Sequence, residues 1–416
     1  MKRLVTVAVT IAALTALNGC GRNAGGGPPD RPAETGAGPA RGTVTVWAMG
    51  TEGEKLSVLA EGFEAANPGV KVDVTAIPWD GAHDKIASAI AGRATPDMSM
   101  VGTTWMGEFA TTGALDPTPA GFDKDAYFPG AWDTTTVNGT SYGVPWYVET
   151  RLIYYRTDLA EKAGVKPPAN WAELTSFVTA LRDRGGAAYG ISLPPGGTGA
   201  WQTFLPFAWQ RGASITGADG AFTLDTPEMA RALDYYLSYF RKRLSPAALQ
   251  PGELEQGFID GKIASFVSGP WHIGVLKDQA KGKLDGRFGV ALMPRERTGA
   301  SFVGGADLVV FKDARNRHGA WKFVEYLSRP EVQATWYRTV NDLPAVKDGW
   351  SGITDPMLRL FGEQLGDAQA PPAVPTWEQV AAVIDGELEK AVKAGMPSDA
   401  ALKAMQQKAA AIGTGP

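Results

Sequence analysis

Four tryptophans, Trp79, Trp105, Trp201 and Trp271, stand in stretches rich in Gly, Pro or small polar residues, where a core pattern does not explain them. A fifth aromatic cluster holds a carboxylate: Tyr147 and Glu149 follow Pro145 and Trp146 at the head of a β-branched and aromatic run. Pro145 biases Val144 towards extended geometry, and residues 148–155 read as a strand. Aromatic faces beside a carboxylate at a strand mouth suit a polar ligand with apolar C–H faces, such as a sugar ring. The same residues also fit a plain core strand ending in a solvated Glu, and a Trp beside Pro and Gly also serves as a loop anchor. The other chemistries open to the chain are fewer. His83, His272 and His318 lack metal-ligand spacing, so no metal and no cofactor is expected. Gly196-Gly-Thr-Gly199 lacks the Lys and Ser/Thr of a phosphate loop, and no nucleophile elbow occurs. Glu52 and Glu149 as the acid and nucleophile of a glycosidase form the competing reading.

These residues need elements to hold them. Residues 43–49 alternate as a strand, Leu56, Leu59, Ala60 and Phe63 recur at helical spacing, and Asn67-Pro68-Gly69 stops that helix. Residues 70–77 form the next strand, Ile86 and Ile90 mark a second helix, and 98–101 a third strand. This βαβαβ order predicts a mostly parallel sheet covered by helices, with ligands bound outside the carboxyl ends of its strands. The loops 50–53, 79–81 and 102–105 lie at those ends, which makes Glu52, Trp79, Asp80, Thr104 and Trp105 rim candidates. The pattern restarts with a helix from Trp171, a strand-like 189–193, an amphipathic helix over 227–243 and a strand ahead of Gly269-Pro-Trp271. A strand at 306–311, a helix at 317–327 and a largely helical final third complete the chain.

At 416 residues with 44% hydrophobic content, the chain is long enough for two lobes. A net charge of -4 offers no basic field for nucleic acid or anionic lipid. Lys2 and Arg3, an apolar stretch over 4–17 and Leu17-Asn-Gly-Cys20 read as a signal peptide (1–19) ending in a lipobox-like tetrad. Cys20 is the single cysteine, so it forms no internal disulfide, and lipidation is its expected use. Asn18 departs from the small or β-branched residue usual at that place. Residues 20–42, rich in Gly, Pro and Ala, read as a tether. The protein is therefore expected at the outer face of the cytoplasmic membrane, held by a lipid anchor alone.

The ordered set of motifs resembles the solute-binding proteins of ABC sugar importers, the family of maltose- and trehalose-binding proteins. The segments that carry the likeness include Phe63-Glu-Ala-Ala-Asn-Pro-Gly69, Pro96-Asp-Met-Ser-Met-Val-Gly-Thr-Thr-Trp105, Tyr142-Gly-Val-Pro145, Gly269-Pro-Trp271, Gly304-Gly305 and Ala320-Trp-Lys-Phe-Val-Glu-Tyr-Leu327. The resemblance implies an α/β fold of two discontinuous lobes, each a mostly parallel sheet flanked by helices, over 43–148 with 307–328 and over 149–306 with 329–416. It implies hinge crossings near Glu149, 304–307 and Arg329. It also implies a sugar in the cleft, a permease as partner, a monomer and no catalysis. By the same resemblance Tyr147, Glu149 and Glu52 hydrogen-bond the sugar, and Gly304-Gly305 allow close backbone approach; a β-bulge is the alternative for the glycine pair. Gly102 stands where some disaccharide binders carry Asp, and Pro371-Pro372 where a sugar-binding Arg is expected, so Asp80, Asp307 and Arg338 are candidate substitutes. A glycerophosphodiester would also fit the family. A structural or adhesion lipoprotein is a third class, expected to show no domain closure.

Overall fold

The computed structural model describes residues 38–79, 81–250 and 252–415. The signal peptide, Cys20, most of the tether and Asp80 lie outside these residues. Strands β1 (Gly42–Met49), β2 (Val70–Ile77) and β3 (Met98–Gly102) pair in parallel through β1, as the βαβαβ pattern requires. Val44, Val46 and Ala48 of β1 point into the core against Leu59, Ala60 and Phe63 of the first crossover helix. That helix ends at Asn67, whose side chain donates to the Phe63 carbonyl at 3.0 Å just before Pro68. Residues 50–53, expected as a loop, begin a helix (Gly50–Lys55) directly at the end of β1.

The run over 148–155 is two strands. β4 (Val144–Thr150) belongs to the first sheet and β5 (Leu152–Arg156) to a second, with Arg151 alone between them. The second sheet also contains β6 (Ser265–Ser268) and β7 (Phe288–Ala291), in the order β6-β5-β7. Both pairings are antiparallel, where the resemblance implies a mostly parallel second sheet. The reason is topological: β6 and β7, joined through the helix Trp271–Ala280, run the same way, but β5 inserts between them from the hinge. Residues 189–193 give only isolated parallel bridges, Tyr189 to Ile263 and Ser192 to Phe266. Strand β8 (Ser301–Val310) returns to the first sheet and lies between β3 and β4, antiparallel to both. Two short strands, β9 (Leu343–Pro344) on β4 and β10 (Ala368–Gln369) on β8, complete a seven-stranded mixed sheet.

Beyond Arg329, the helix Pro330–Val340 packs on the first sheet, where Trp336 stacks on Trp146 with ring centroids 4.9 Å apart. The second lobe has its own core: Ile153 of β5, the helices Trp171–Asp183, Trp201–Gln210 and Pro227–Arg241, and the late helices Trp377–Lys393 and Ser398–Ile412. The late helices thus finish a lobe begun some two hundred residues earlier. No helix of the described residues is long and apolar enough to cross a membrane.

Candidate functional site

The carboxyl ends of β1, β2 and β3 deliver Glu52, Trp79 and the turn Thr103–Trp105 to one side of a cavity of about 380 Å³. Its floor is the pair of crossing strands, with Tyr147 and Glu149 from β4 and Phe302, Gly304 and Gly305 from β8. Its far wall is Gln202 and Trp271 from the second lobe. Asp342, just before β9, closes one end. This is where an open α/β sheet is expected to bind ligands, outside its strand ends.

Two indoles give the cavity its apolar surfaces. Among the described residues only three large hydrophobic side chains are exposed, and two of them, Trp79 at 39% and Trp271 at 41%, line this space. An exposed indole costs solvation, so two in one cavity point to a ligand that covers them. Trp79 is braced by Trp105, edge to face at 5.9 Å, and Trp105 by the His83 ring at 5.4 Å. Trp271 lies over Gly269, where a Cβ would meet the ring at 1.8 Å.

Three of the polar groups are carboxyls, Glu52, Glu149 and Asp342. Burial pushes the Glu52 carboxyl up, the nearby Glu149 charge adds to this, and hydrogen bonds donated by the Tyr147 hydroxyl and the Trp79 indole only partly offset it. Asp342 is held well above the usual carboxylate range by burial, then by the charges of Glu52 and Glu149, although the Trp336 indole donates to it at 3.0 Å. Tyr147 is buried, and burial followed by the Asp342 and Glu52 charges pushes its hydroxyl up. Arg151 answers this negative field with a single guanidinium, 3.1 Å from the Glu149 carboxylate. Carboxyl oxygens around two aromatic plates, accepting where ionised and donating where a raised carboxyl keeps its proton, complement a ligand edged with hydroxyls, which do both.

The glycine pair follows from strand contact. Gly304 lies opposite Glu149, and a Cβ there would come within 2.8 Å of the Glu149 carboxylate and 2.6 Å of the Phe302 ring. Gly305 has φ +127°, and its Cβ would stand 2.1 Å from the Tyr147 carbonyl. A register shift between Ala306 and Asp307 marks a bulge beside them. Gly305→Ala is expected to cost at least ~1 to 3 kcal/mol from the backbone region alone, read as a lower denaturant midpoint. An unchanged midpoint would show that the strand pair can relax.

Nine of the candidates from sequence meet in this cavity: Glu52, Trp79, Thr104, Trp105, Tyr147, Glu149, Trp271, Gly304 and Gly305. Three stand elsewhere. Trp201 is 3% exposed and packs edge-on against Phe302 and Trp377 in the second core, so its neighbour Gln202 faces the cavity in its place. Asp307 is fully buried under the helix Pro129–Thr134. Arg338 lies on the helix Pro330–Val340 and donates to Thr335 at 2.8 Å. Gln202, Phe302, Asp342 and Arg151 were not anticipated. Arg151 alone left a signal, a cation directly ahead of the apolar and aromatic run 152–155, where it must be paired if buried. Among the described residues no cluster of three or more His, Cys, Asp or Glu could hold a metal ion.

Two α/β lobes that meet at crossing strands, with a cleft walled by both, define a binding protein of the periplasmic type. The chain belongs to the bacterial extracellular solute-binding protein family, whose model matches residues 48–334. It is 34% identical to the sugar-binding protein MalE of Xanthomonas citri, with a TM-score of 0.84 over 89% of this chain and 97% of that one. The GacH receptor of Streptomyces glaucescens, described unliganded and with acarbose, is 27% identical with a TM-score of 0.78 over 89% and 98% of the two chains. A maltooligosaccharide ABC transporter solute-binding lipoprotein of Streptococcus pneumoniae strain R6 is 26% identical over 91% of this chain and 88% of its own length.

Proposed function

We propose that this protein captures a carbohydrate in the cleft and delivers it to the permease of an ABC importer, without chemical turnover. The observation that carries this reading is the pair of exposed indoles, Trp79 and Trp271, on opposite walls of a cavity floored by Tyr147 and Glu149, with Glu52 beside Trp79. Sugar C–H faces would cover the indoles, and hydroxyls would donate to the carboxylates, replacing hydrogen bonds lost from water. What the relatives bind supports the same class: a sugar for the Xanthomonas protein, acarbose for GacH, maltooligosaccharides for the pneumococcal lipoprotein. Thr104 and Trp105 join the site through the β3 turn. Closure would bend the chain where it crosses between the sheets, at Arg151 and at the start of β8.

The experiment is a melting series with maltose, trehalose, maltotriose and an inert polyol, each followed by product analysis. A sugar at about a hundredfold excess over its Kd should stabilise the protein by about 2.7 kcal/mol, with no products formed. Shortened saccharides in the mixture would sink the binding-protein reading in favour of a glycosidase.

The same proposal includes a lipid on Cys20, supported by the tetrad Leu17-Asn-Gly-Cys20 and by the lipoprotein relative. Cys20→Ser is expected to abolish incorporation of labelled palmitate and to release the protein into the medium. Retention of both label and membrane association would exclude the anchor.

A further inference from the structure

We infer that Arg151 is the positioning residue of the cleft, setting the Trp271 plate and the Glu149 carboxylate before any ligand arrives. This rests on the sugar-binding reading of the cleft. Arg151 is the one residue between β4 and β5, at the point where the chain leaves the first sheet for the second. It is only 7% exposed. Its backbone is fixed to the other crossing strand, since its N–H donates to the Ser301 hydroxyl at 3.3 Å and the Ser301 hydroxyl donates to its carbonyl at 2.9 Å.

From that anchored position one guanidinium reaches four cavity-lining side chains. Nη1 lies 3.1 Å from Glu149 Oε1, and Nη2 donates to Gln202 Oε1 at 2.6 Å. Its Cζ sits 4.7 Å from the Trp271 ring centroid and 5.2 Å from that of Phe302. A buried guanidinium must be paired to be tolerated: Gln202 accepts a hydrogen bond from Nη2, Glu149 lies at ion-pair distance and two aromatic rings flank the group, while Nη1 makes no hydrogen bond among the described residues. The reverse dependence matters more for function. Trp271 has Gly269 against its ring and the Arg151 guanidinium over it, so its orientation does not need a sugar to define it. Glu149 likewise has one oxygen within ion-pair distance of Arg151, so the guanidinium charge holds the carboxylate on that side of the cavity. Groups fixed in advance lose less freedom on binding.

A purely structural ion pair at the hinge would make Arg151 matter for stability alone. The two accounts separate in the full chain labelled with 5-fluorotryptophan, with the Trp271 fluorine line assigned by Trp271→Phe. Arg151→Lys keeps the charge beside Glu149 but loses the plane and the fork; Arg151→Met keeps only the stem. The Trp271 line of the sugar-free protein should shift and broaden in both variants, while the lines of Trp336 and Trp377 hold. Gln202→Ala, which frees one arm of the fork, should shift the Trp271 line less. Where maltose binds the parent protein, its dissociation constant should rise at least tenfold in Arg151→Met and by a smaller factor in Arg151→Lys. An unmoved Trp271 line in Arg151→Lys and Gln202→Ala would overturn the proposal even if Arg151→Met failed to fold. A parent protein that ignores maltose, trehalose and maltotriose would count against the sugar reading only, and the sugar-free Trp271 line would still decide the role of Arg151.

Discussion

Trp271→Ala is expected to weaken sugar binding by about tenfold to a hundredfold, the equivalent of ~1.4 to ~2.8 kcal/mol, with the melting temperature of the sugar-free protein little changed. The asymmetry comes from burial. Trp271 is 41% exposed at the first turn of its helix, whereas the helix is seated by Ile273, Leu276 and Ala280. Removing the ring therefore deletes a plate without opening a core cavity. Trp146→Ala should do the opposite, since that indole is 1% exposed and stacked on Trp336, and a loss of about 3 to 5 kcal/mol of stability is expected there. Gly269→Ala is a second probe of the plate: it leaves the indole in the sequence but forces it off its seat, because the new Cβ would meet the ring. Calorimetric titration with the sugar that stabilises the parent protein, alongside melting of the free variants, measures both sides. A Trp271→Ala protein with undiminished affinity would place the ligand elsewhere in the cleft.

Asp307→Asn should remove a pH dependence of stability. The carboxyl is fully buried, and burial pushes it up to about 8 despite a hydrogen bond with Thr134. The hydrogen-bond arithmetic points the same way. Thr134 Oγ1 lies 2.7 Å from the Ala131 carbonyl, which can only accept, and 3.0 and 3.1 Å from the two Asp307 oxygens. A hydroxyl has one proton to give, so with Thr134 donating to Ala131, a protonated Asp307 completes the set by donating to Thr134. The ordinary value is 3.8, the folded value about 8, so between them the native state holds one proton more than the unfolded state. Stability then falls as pH rises through that window, by about 1.4 kcal/mol per pH unit for one proton, and the contribution is fully present only below about pH 4. Asn cannot ionise and can donate in the same place. The variant should match the parent near pH 4 and exceed it by about 3 kcal/mol or more near pH 7.5 in denaturant unfolding. Glu52 and Asp342 are raised too, but they contribute equally to both proteins and cancel in the difference. Parallel curves across this range would show that Asp307 is ionised in the native state.

The first lobe was legible because its signals are local. Alternation in β1 and β2, helical spacing between them and the Asn67-Pro68 stop fixed the order, and the strand-end rule then located Glu52, Trp79 and Trp105 without any distance. The errors arise where facing depends on phase. Trp201 follows a Gly-rich loop and looked like part of it, yet Trp201, Phe204, Leu205 and Ala208 share the buried stripe of one helix, and Gln202 lies off it. Asp307 falls just past a bulge, and a bulge breaks the alternation by which a strand's facing is read. Asp342 reaches the cleft through a reversal at Asn341, whose φ of +66° is a backbone state that sequence does not announce. Arg151 needed the knowledge that one apparent strand is two, in two sheets.

The position of β8 bears on how the chain is made. It is an interior strand of the first sheet, between β3 and β4, yet it lies some two hundred residues after β3. Until residue 310 has been synthesised and released, β3 and β4 have no partner between them, and each presents an open edge of backbone donors and acceptors. An N-terminal fragment ending before residue 301 is therefore not a smaller version of the lobe. It is a sheet with its middle missing, slow to close because the pairing is so distant in sequence and exposed to wrong partners while it waits.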